Sequence, residues 1–279
     1  MKGVRYIDPA GEIRLGRLDE DTVVDVGPAG PLGFVPDDDG WAAIAGASGP
    51  KHAMQDVHLL HPVQARKILA IGLNYRAHAE ESELDIPPVP VMFAKFPTSL
   101  TGHGADIVIP HEETRPDFEG ELAVVIARRT YRADRAGARQ AIGGISAMHD
   151  VSGRRAQLET PLRQFTLGKS FDTFAPMGPC IASMDGVDLA AVDVRTTVSG
   201  EIMQDANTSD LIFPVEDIVA YLSRGLTLEP GDVIATGTPG GVGDSRKPPR
   251  YLREGDVVEV SVSGVGTLRN PVRMEAEAR

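Results

Sequence analysis

Cysteine is almost absent from this chain. The 279 residues contain one, Cys180, so no disulfide can form within the chain, which fits a reducing compartment. Cys180 lies in an apolar stretch, Pro176 to Ala182, where a buried and inert thiol is expected. No run of about 18 apolar residues occurs, so no transmembrane helix is expected. The opening stretch from Met1 to Asp21 lacks the apolar core of a secretory signal, and the expectation is a cytoplasmic protein with no membrane partner. Cationic blocks are also missing. The formal net charge is −12, and without clustered Lys and Arg to neutralise phosphates, nucleic-acid binding is disfavoured. The acidity is dispersed and reads mainly as a solvated surface.

Several familiar motifs are missing too. The stretch Thr236-Gly237-Thr238-Pro239-Gly240-Gly241-Val242-Gly243 is glycine-rich but lacks the Gly-Lys-Ser/Thr ending of a phosphate loop, and its glycine spacing is not that of a dinucleotide site. No G-x-S-x-G elbow is present for a serine hydrolase. His58 and His61 have no cysteine partners at zinc spacings and read as linker residues.

The chain does contain short β-like runs in number. Residues 1–62 read as a small N-terminal β domain plus linker: Val4 to Ile7, Ile13 to Leu18 and Thr22 to Val26 are separated by turns, followed by a Gly/Pro/Asp-rich stretch and a weak helical segment at Trp41 to Ala47. Residues 63–279 form the second, larger unit. Its strand candidates are Ile68 to Gly72, Val91 to Lys95, Ile107 to Ile109, Leu122 to Ala127, Val194 to Val198, Val233 to Thr236 and Val257 to Val262. Helical signals are fewer: Arg76 to Leu84, Arg132 to Ala141, Ser152 to Leu158 and Val215 to Ser223. Many strands, few helices and no strict βαβ alternation predict a β-rich α+β fold.

The strongest local feature is acidic. Glu119 and Glu121 stand two residues apart where the apolar run Leu122 to Ile126 begins, so in an extended chain they share a face. Two unit charges about 4 Å apart repel by roughly 4 kcal/mol at an effective dielectric near 20. Water must screen them, one must take a proton, or a cation must lie between them. A solvated strand end satisfies the first option. Asp150 ends another apolar run, Ala141 to Met148, and reads either as a helix N-cap, a role Ser152 could also fill, or as a third carboxylate. Three carboxylates without cysteine suit a hard cation, Mg²⁺ or Mn²⁺.

Six stretches then carry a resemblance. They are Gly72-Leu73-Asn74-Tyr75 through His78 and Glu81; Asp117-Phe118-Glu119-Gly120-Glu121-Leu122; His149-Asp150-Val151-Ser152; Gly168-Lys169-Ser170-Phe171-Asp172 through Pro179; Asn207-Thr208-Ser209-Asp210; and Gly231 to Pro239. In this order, over about residues 67–272, they resemble the fumarylacetoacetate hydrolase family, and residues 1–62 resemble the small β domain of many bacterial members. The resemblance implies a mixed β-sandwich roll, a homodimer, and one divalent metal per chain on Glu119, Glu121 and Asp150. With three acids on a 2+ metal a net −1 remains, so cations are needed nearby to hold an anionic substrate, and Lys169 and Arg154 are the candidates. The resemblance implies that Lys169 is the active-site lysine, that Gln157 and Thr238 hydrogen-bond substrate oxygens, and that His78 and Glu81 form the base on a lid. By spacing alone these would read as a surface lysine, a solvated glutamine, a turn threonine and an exposed helix pair. One position departs from the pattern: many relatives carry an acid where this chain has Arg155, which puts the local charge balance and substrate choice in question.

The expected activity is metal-assisted cleavage of a C–C bond in a 2,4-dioxo acid of the acylpyruvate or fumarylpyruvate type, through an enolate, with water activated by His78 and Glu81. The same platform supports an isomerase or tautomerase of hydroxymuconate-type acids, or an oxaloacetate decarboxylase. A non-catalytic module binding a metal or a small 2-oxo acid is the reading from a different class, separable by a turnover assay with and without chelator.

Overall fold

The computed structural model describes residues 1–276. The N-terminal strands are β1 (Lys2–Ile7), β2 (Ile13–Asp19), β3 (Thr22–Pro28), β4 (Lys51–Ala53) and β5 (His58–Leu60), with helix α1 (Asp38–Ala45) between β3 and β4. Next come β6 (Ile68–Gly72), α2 (Arg76–Glu81), β7 (Val91–Lys95), β8 (Leu100–Thr101), β9 (Ile107–Ile109), β10 (Pro116–Asp117) and β11 (Gly120–Ile126). The middle of the chain forms α3 (Arg135–Ala141), β12 (Ile142–His149), β13 (Ser152–Gly153), α4 (Arg154–Leu158), α5 (Phe165–Gly168) and β14 (Ala175–Ser183). The remainder forms β15 (Asp193–Val198), β16 (Glu201–Asn207), α6 (Val215–Ser223), β17 (Val233–Ala235), β18 (Val257–Val262) and β19 (Gly266–Met274). The β-rich α+β class is as the sequence reads. None of the helices among the described residues is long and apolar enough to cross a membrane.

The strands build two main sheets. The larger runs β4-β3-β2-β1-β14-β12-β11-β17-β6-β7, with β5 pairing β1 and β8 pairing β14; the smaller runs β16-β15-β18-β19-β9. The N-terminal strands thus continue the large sheet through the antiparallel β1–β14 pair. β11 lies where the two sheets meet and is buried on both faces, which is why its apolar run is unbroken. Leu122, Val124 and Ile126 pack with Val194, Val258 and Val260 of the smaller sheet. Ala123 and Val125 join Ile68, Met148 and Val233 on the other side. By the same alternation Gly120 faces the smaller sheet, and a Cβ there would lie 2.0 Å from Thr196 Oγ1.

Two segments depart from expectation. Ser152 to Leu158 is not one helix: Ser152 and Gly153 pair with Asp117 and Pro116, and the helix begins at Arg154. Neither Asp150 nor Ser152 caps it. Glu113 does so from outside, accepting the Arg155 and Ala156 N–H groups at 3.0 Å each. The expected helix from Arg132 starts only at Arg135, after an N-cap at Asp134, because Arg132 has φ of +54°. β14, with two prolines, and β16, with no period-two alternation of apolar and polar residues, carry strand signals too weak to have been read. Cys180 is buried as expected, and burial pushes its thiol up to about 12.

Candidate active site

Strand pairing brings the acidic residues together. β11 runs antiparallel to β12 with Gly120 opposite His149, so Asp150 falls beside Glu119, and its N–H donates to the Glu119 carbonyl at 2.8 Å. Glu119, Glu121 and Asp150 are buried, and each offers an oxygen within 4.8 Å of the others. They are not a solvated strand end.

Three cations surround them. Lys169, at the C-terminus of α5, places Nζ 2.6 Å from Glu119 Oε2 and 2.7 Å from Asp150 Oδ2. Gly168 lets it in: a Cβ there would lie 2.8 Å from Gln157, so α5 packs directly on α4. Arg154 donates to Asp117 Oδ2 at 2.9 Å, Glu119 Oε1 at 2.6 Å and Gln157 Oε1 at 3.1 Å. The third cation, Lys95 at the end of β7, is fully buried with Nζ 2.5 Å from Asp150 Oδ1. Sequence reasoning missed it, because a lysine closing an apolar strand reads as exposed and its partner lies 55 residues away. Asp117, also unassigned from sequence, is gripped by Arg154 and the Gly243 and Asp244 N–H groups.

The electrostatics fit a cation. Four buried carboxylates (Asp117, Glu119, Glu121, Asp150) face three cations, a surplus of one negative charge. Burial pushes Glu119 up, but Lys169 and Arg154 outweigh it and hold the carboxyl far below its ordinary value. Burial, reinforced by Asp150 and Glu119, pushes Glu121 well above its ordinary value. Its Oε2 accepts the Gly237 N–H at 2.8 Å, while Oε1 has no hydrogen-bond partner among the described residues. A hard divalent cation on Glu119, Glu121 and Asp150 would stabilise the ionised form of Glu121 and reverse the sign of the surplus. Burial lowers Lys95, and the nearby Lys169 adds to the effect. Burial likewise disfavours the charged form of Lys169, but Asp150 and Glu119 more than offset it, and Lys169 remains an ammonium.

The remaining expected residues share one cavity of about 730 Å³ with Glu119, Arg154 and Lys169. Its outer wall carries His78 and Glu81 on α2. Asn74 fixes the start of α2 by donating to Thr236 O at 2.7 Å and Phe213 O at 3.1 Å. Gly237 has φ of +105°, and a Cβ there would lie 2.7 Å from Asn74 Cβ, so only glycine lets that strand end pass α2 and reach Glu121. His78 Nδ1 lies 3.6 Å from Glu81 Oε2, too far for a hydrogen bond, and has no other partner among the described residues. Glu81 Oε2 accepts the Gly241 N–H at 2.8 Å. Burial pushes Glu81 up, but the His78 ring and this N–H outweigh it, and its pKa falls below the ordinary value.

Gln157 lines the cavity with its Nε2 unbonded among the described residues, whereas the Arg154 guanidinium is engaged with the acids and the Thr238 hydroxyl with Gly120 O and Gln204. Arg155, the departure from the family pattern, is exposed, pairs loosely with Glu159 at 3.9 Å and does not line the cavity. Its charge lies outside the site.

Residues 67–273 match the family model described as fumarylacetoacetate (FAA) hydrolase C-terminal. The chain is 42% identical over 221 residues to the oxaloacetate tautomerase YisK of Bacillus subtilis, covering 77% of this chain and 72% of that protein. Its fold matches a crystal structure of 5-carboxymethyl-2-hydroxymuconate delta-isomerase from Mycobacterium smegmatis with a TM-score of 0.82 and 34% identity, over 99% of this chain and 100% of the other. It matches the fumarylacetoacetate hydrolase of Exiguobacterium antarcticum with a TM-score of 0.83, also at 34% identity, over the same shares. On sequence and structure alike, this chain belongs to the fumarylacetoacetate hydrolase family.

Proposed function

We propose that this protein is a divalent-metal-dependent tautomerase that interconverts the keto and enol forms of a 2-oxo dicarboxylic acid of the oxaloacetate type. The observation that carries this reading is that one cavity is lined by the His78 imidazole, backed by Glu81, together with Lys169, Arg154 and Glu119 of the buried lysine–carboxylate cluster. The hydrolytic reading, which the sequence favours, requires the same groups to drive water onto carbon as well. The names of the tautomerase and isomerase relatives support the simpler chemistry.

Glu119, Glu121 and Asp150 would hold the cation. When bound, it would supply Lewis acidity toward the carboxylate and 2-oxo oxygens of the substrate. His78 takes a proton from C3, and the C–H electrons shift so that negative charge gathers on the 2-oxo oxygen. Lys169 stabilises that charge. The His78 imidazolium then gives that same proton to the 2-oxo oxygen, which completes the enol and restores the neutral imidazole, and reversal gives the keto form. Glu81, held by Gly241, orients and stabilises the imidazolium. Gln157 Nε2 is free to donate to a substrate oxygen. In the outer cavity Arg163, Arg246 and Lys247 make no ion pair among the described residues, and Arg246 is steadied by the Gly241 and Met203 carbonyls at 3.1 and 2.8 Å. These cations favour a substrate with a second carboxylate.

The test is to follow enol-oxaloacetate by ultraviolet absorbance and NMR with Mg²⁺, with Mn²⁺ and with chelator. Metal-dependent tautomer exchange without pyruvate formation supports the reading. Faster release of pyruvate from acylpyruvates returns the hydrolase; loss of carbon dioxide from oxaloacetate indicates the decarboxylase.

A further inference from the structure

Gly120 is the residue between two of the candidate ligands, and both its polar groups are held. Gln204 Oε1 accepts the Gly120 N–H at 2.9 Å, and Thr238 Oγ1 donates to the Gly120 carbonyl at 3.1 Å. Gln204 Nε2 closes the ring, donating to Thr238 Oγ1 at 2.7 Å and to the Pro239 carbonyl at 2.9 Å. Gln204 is 1% exposed and Thr238 4%. Chemistry sets the orientation of the Gln204 amide: reversed, it would face an N–H with its nitrogen and a carbonyl with its oxygen. The Thr238 hydroxyl has one proton and in this arrangement gives it to the Gly120 carbonyl.

The ring joins distant pieces of chain. Gln204 comes from β16 in the smaller sheet, Thr238 follows β17 in the larger, and Gly120 begins β11 between them. The close approach of Gly120 to Thr196 leaves that backbone no room to shift toward the smaller sheet.

We infer that Gln204 and Thr238 are positioning residues that fix the peptide between Glu119 and Glu121 and so set the affinity of the site for a divalent cation. This rests on the metal reading above. Outer-shell hydrogen bonds made directly to metal ligands are worth about 10–100-fold in metal affinity or activity, and these act one step removed, on the peptide that joins two ligands. A Thr238 that instead touched substrate would alter KM and leave cation binding alone.

The experiment titrates full-length wild type, Thr238→Val, Thr238→Ser and Gln204→Met with Mn²⁺, by calorimetry and by the paramagnetic resonance of free Mn²⁺, with near-ultraviolet dichroism as the check on folding. The inference expects Thr238→Val and Gln204→Met to bind Mn²⁺ roughly 10–100-fold more weakly, and Thr238→Ser, which keeps the hydroxyl, to stay close to wild type. If Gln204→Met does not fold, the Val and Ser pair decides. A folded Thr238→Val with wild-type Mn²⁺ affinity overturns the inference, whether or not its KM changes. A wild type that binds no Mn²⁺ overturns the metal reading and the inference with it, and is recognisable because no variant then differs from it.

Discussion

On the inner wall of the cavity, Asp117, Glu119 and Asp150 have both carboxylate oxygens held by lysine, arginine or main-chain N–H groups. On the outer wall, among the described residues, His78 Nδ1 has no hydrogen-bond partner, Glu81 has one main-chain donor, and the exposed Arg163 and Lys247 make no ion pair. The inner residues sit on or beside strands buried on both faces; the outer ones sit on a six-residue helix and on loops. The contrast divides the labour. Charge that must be in place before a substrate arrives is fixed in a lattice that cannot relax, which is where preorganised electrostatics is worth most. The proton-moving groups stand where few bonds resist adjustment around each substrate.

The sharpest way to break this comparison is to remove the one inner carboxylate that has an unpartnered oxygen. Glu121→Ala should abolish Mn²⁺ binding measured by calorimetry and, with it, metal-dependent turnover. Unchanged binding would move the cation elsewhere and leave the inner wall as a purely structural ion cluster. Next in size is Lys95→Met. Removing Lys95 leaves Asp150 paired with Lys169 alone and adds one to the negative surplus of the buried cluster, and breaking a buried pair in this way costs up to about 3–5 kcal/mol. Urea unfolding of the metal-free protein should show a midpoint lowered accordingly, and a variant as stable as wild type would mean that the inner wall is not locked by charge.

The two walls were also unequally legible in the sequence. Glu119, Glu121 and Asp150 stood out because acids at the ends of apolar runs break a simple local pattern. Lys95 did not: nothing local marks the end of Val91 to Lys95 as facing Asp150, and only the β6–β7 pairing carries it inward. Gln204 was hidden for a related reason, since β16 (Glu201-Ile202-Met203-Gln204-Asp205-Ala206-Asn207) has no period-two pattern to mark its inward face and its contact with Gly120 spans 84 residues. The β-rich class followed from texture, whereas the order of strands depended on pairings between distant segments. Arg154 was picked out by charge balance and Thr238 by resemblance; that the Arg154 guanidinium and the Thr238 hydroxyl also bind groups within the protein is visible only in three dimensions.

The outer wall gives a different signature. His78→Ala should slow tautomer exchange by about 10²–10⁴-fold, the usual worth of a positioned base, with Mn²⁺ affinity and unfolding midpoint left as in wild type. A fall in metal affinity would show that the two walls are coupled and that the contrast is one of geometry only. An unchanged rate would remove His78 from the reaction.

The smallest effect is expected at Arg155, where the sequence raised the question of charge balance. Arg155→Glu installs an acid on the first turn of α4, where the helix dipole favours it by about 0.3–1 kcal/mol. It also brings a negative charge toward Glu113, which already caps that turn, and removes the Arg155 contacts with the Glu112 carbonyl and with Glu159. These terms oppose each other on an exposed surface, and the net change in stability should stay within about 0.5 kcal/mol. The Arg155 side chain does not line the cavity, whose near wall is formed by Arg154 and Gln157 of the same helix. The kcat/KM ratio between dicarboxylate and monocarboxylate 2-oxo acids should therefore match wild type. If Arg155→Glu changed that ratio tenfold or more, the substrate would have to reach the exposed face of α4, and the outer wall would extend beyond the residues assigned to it.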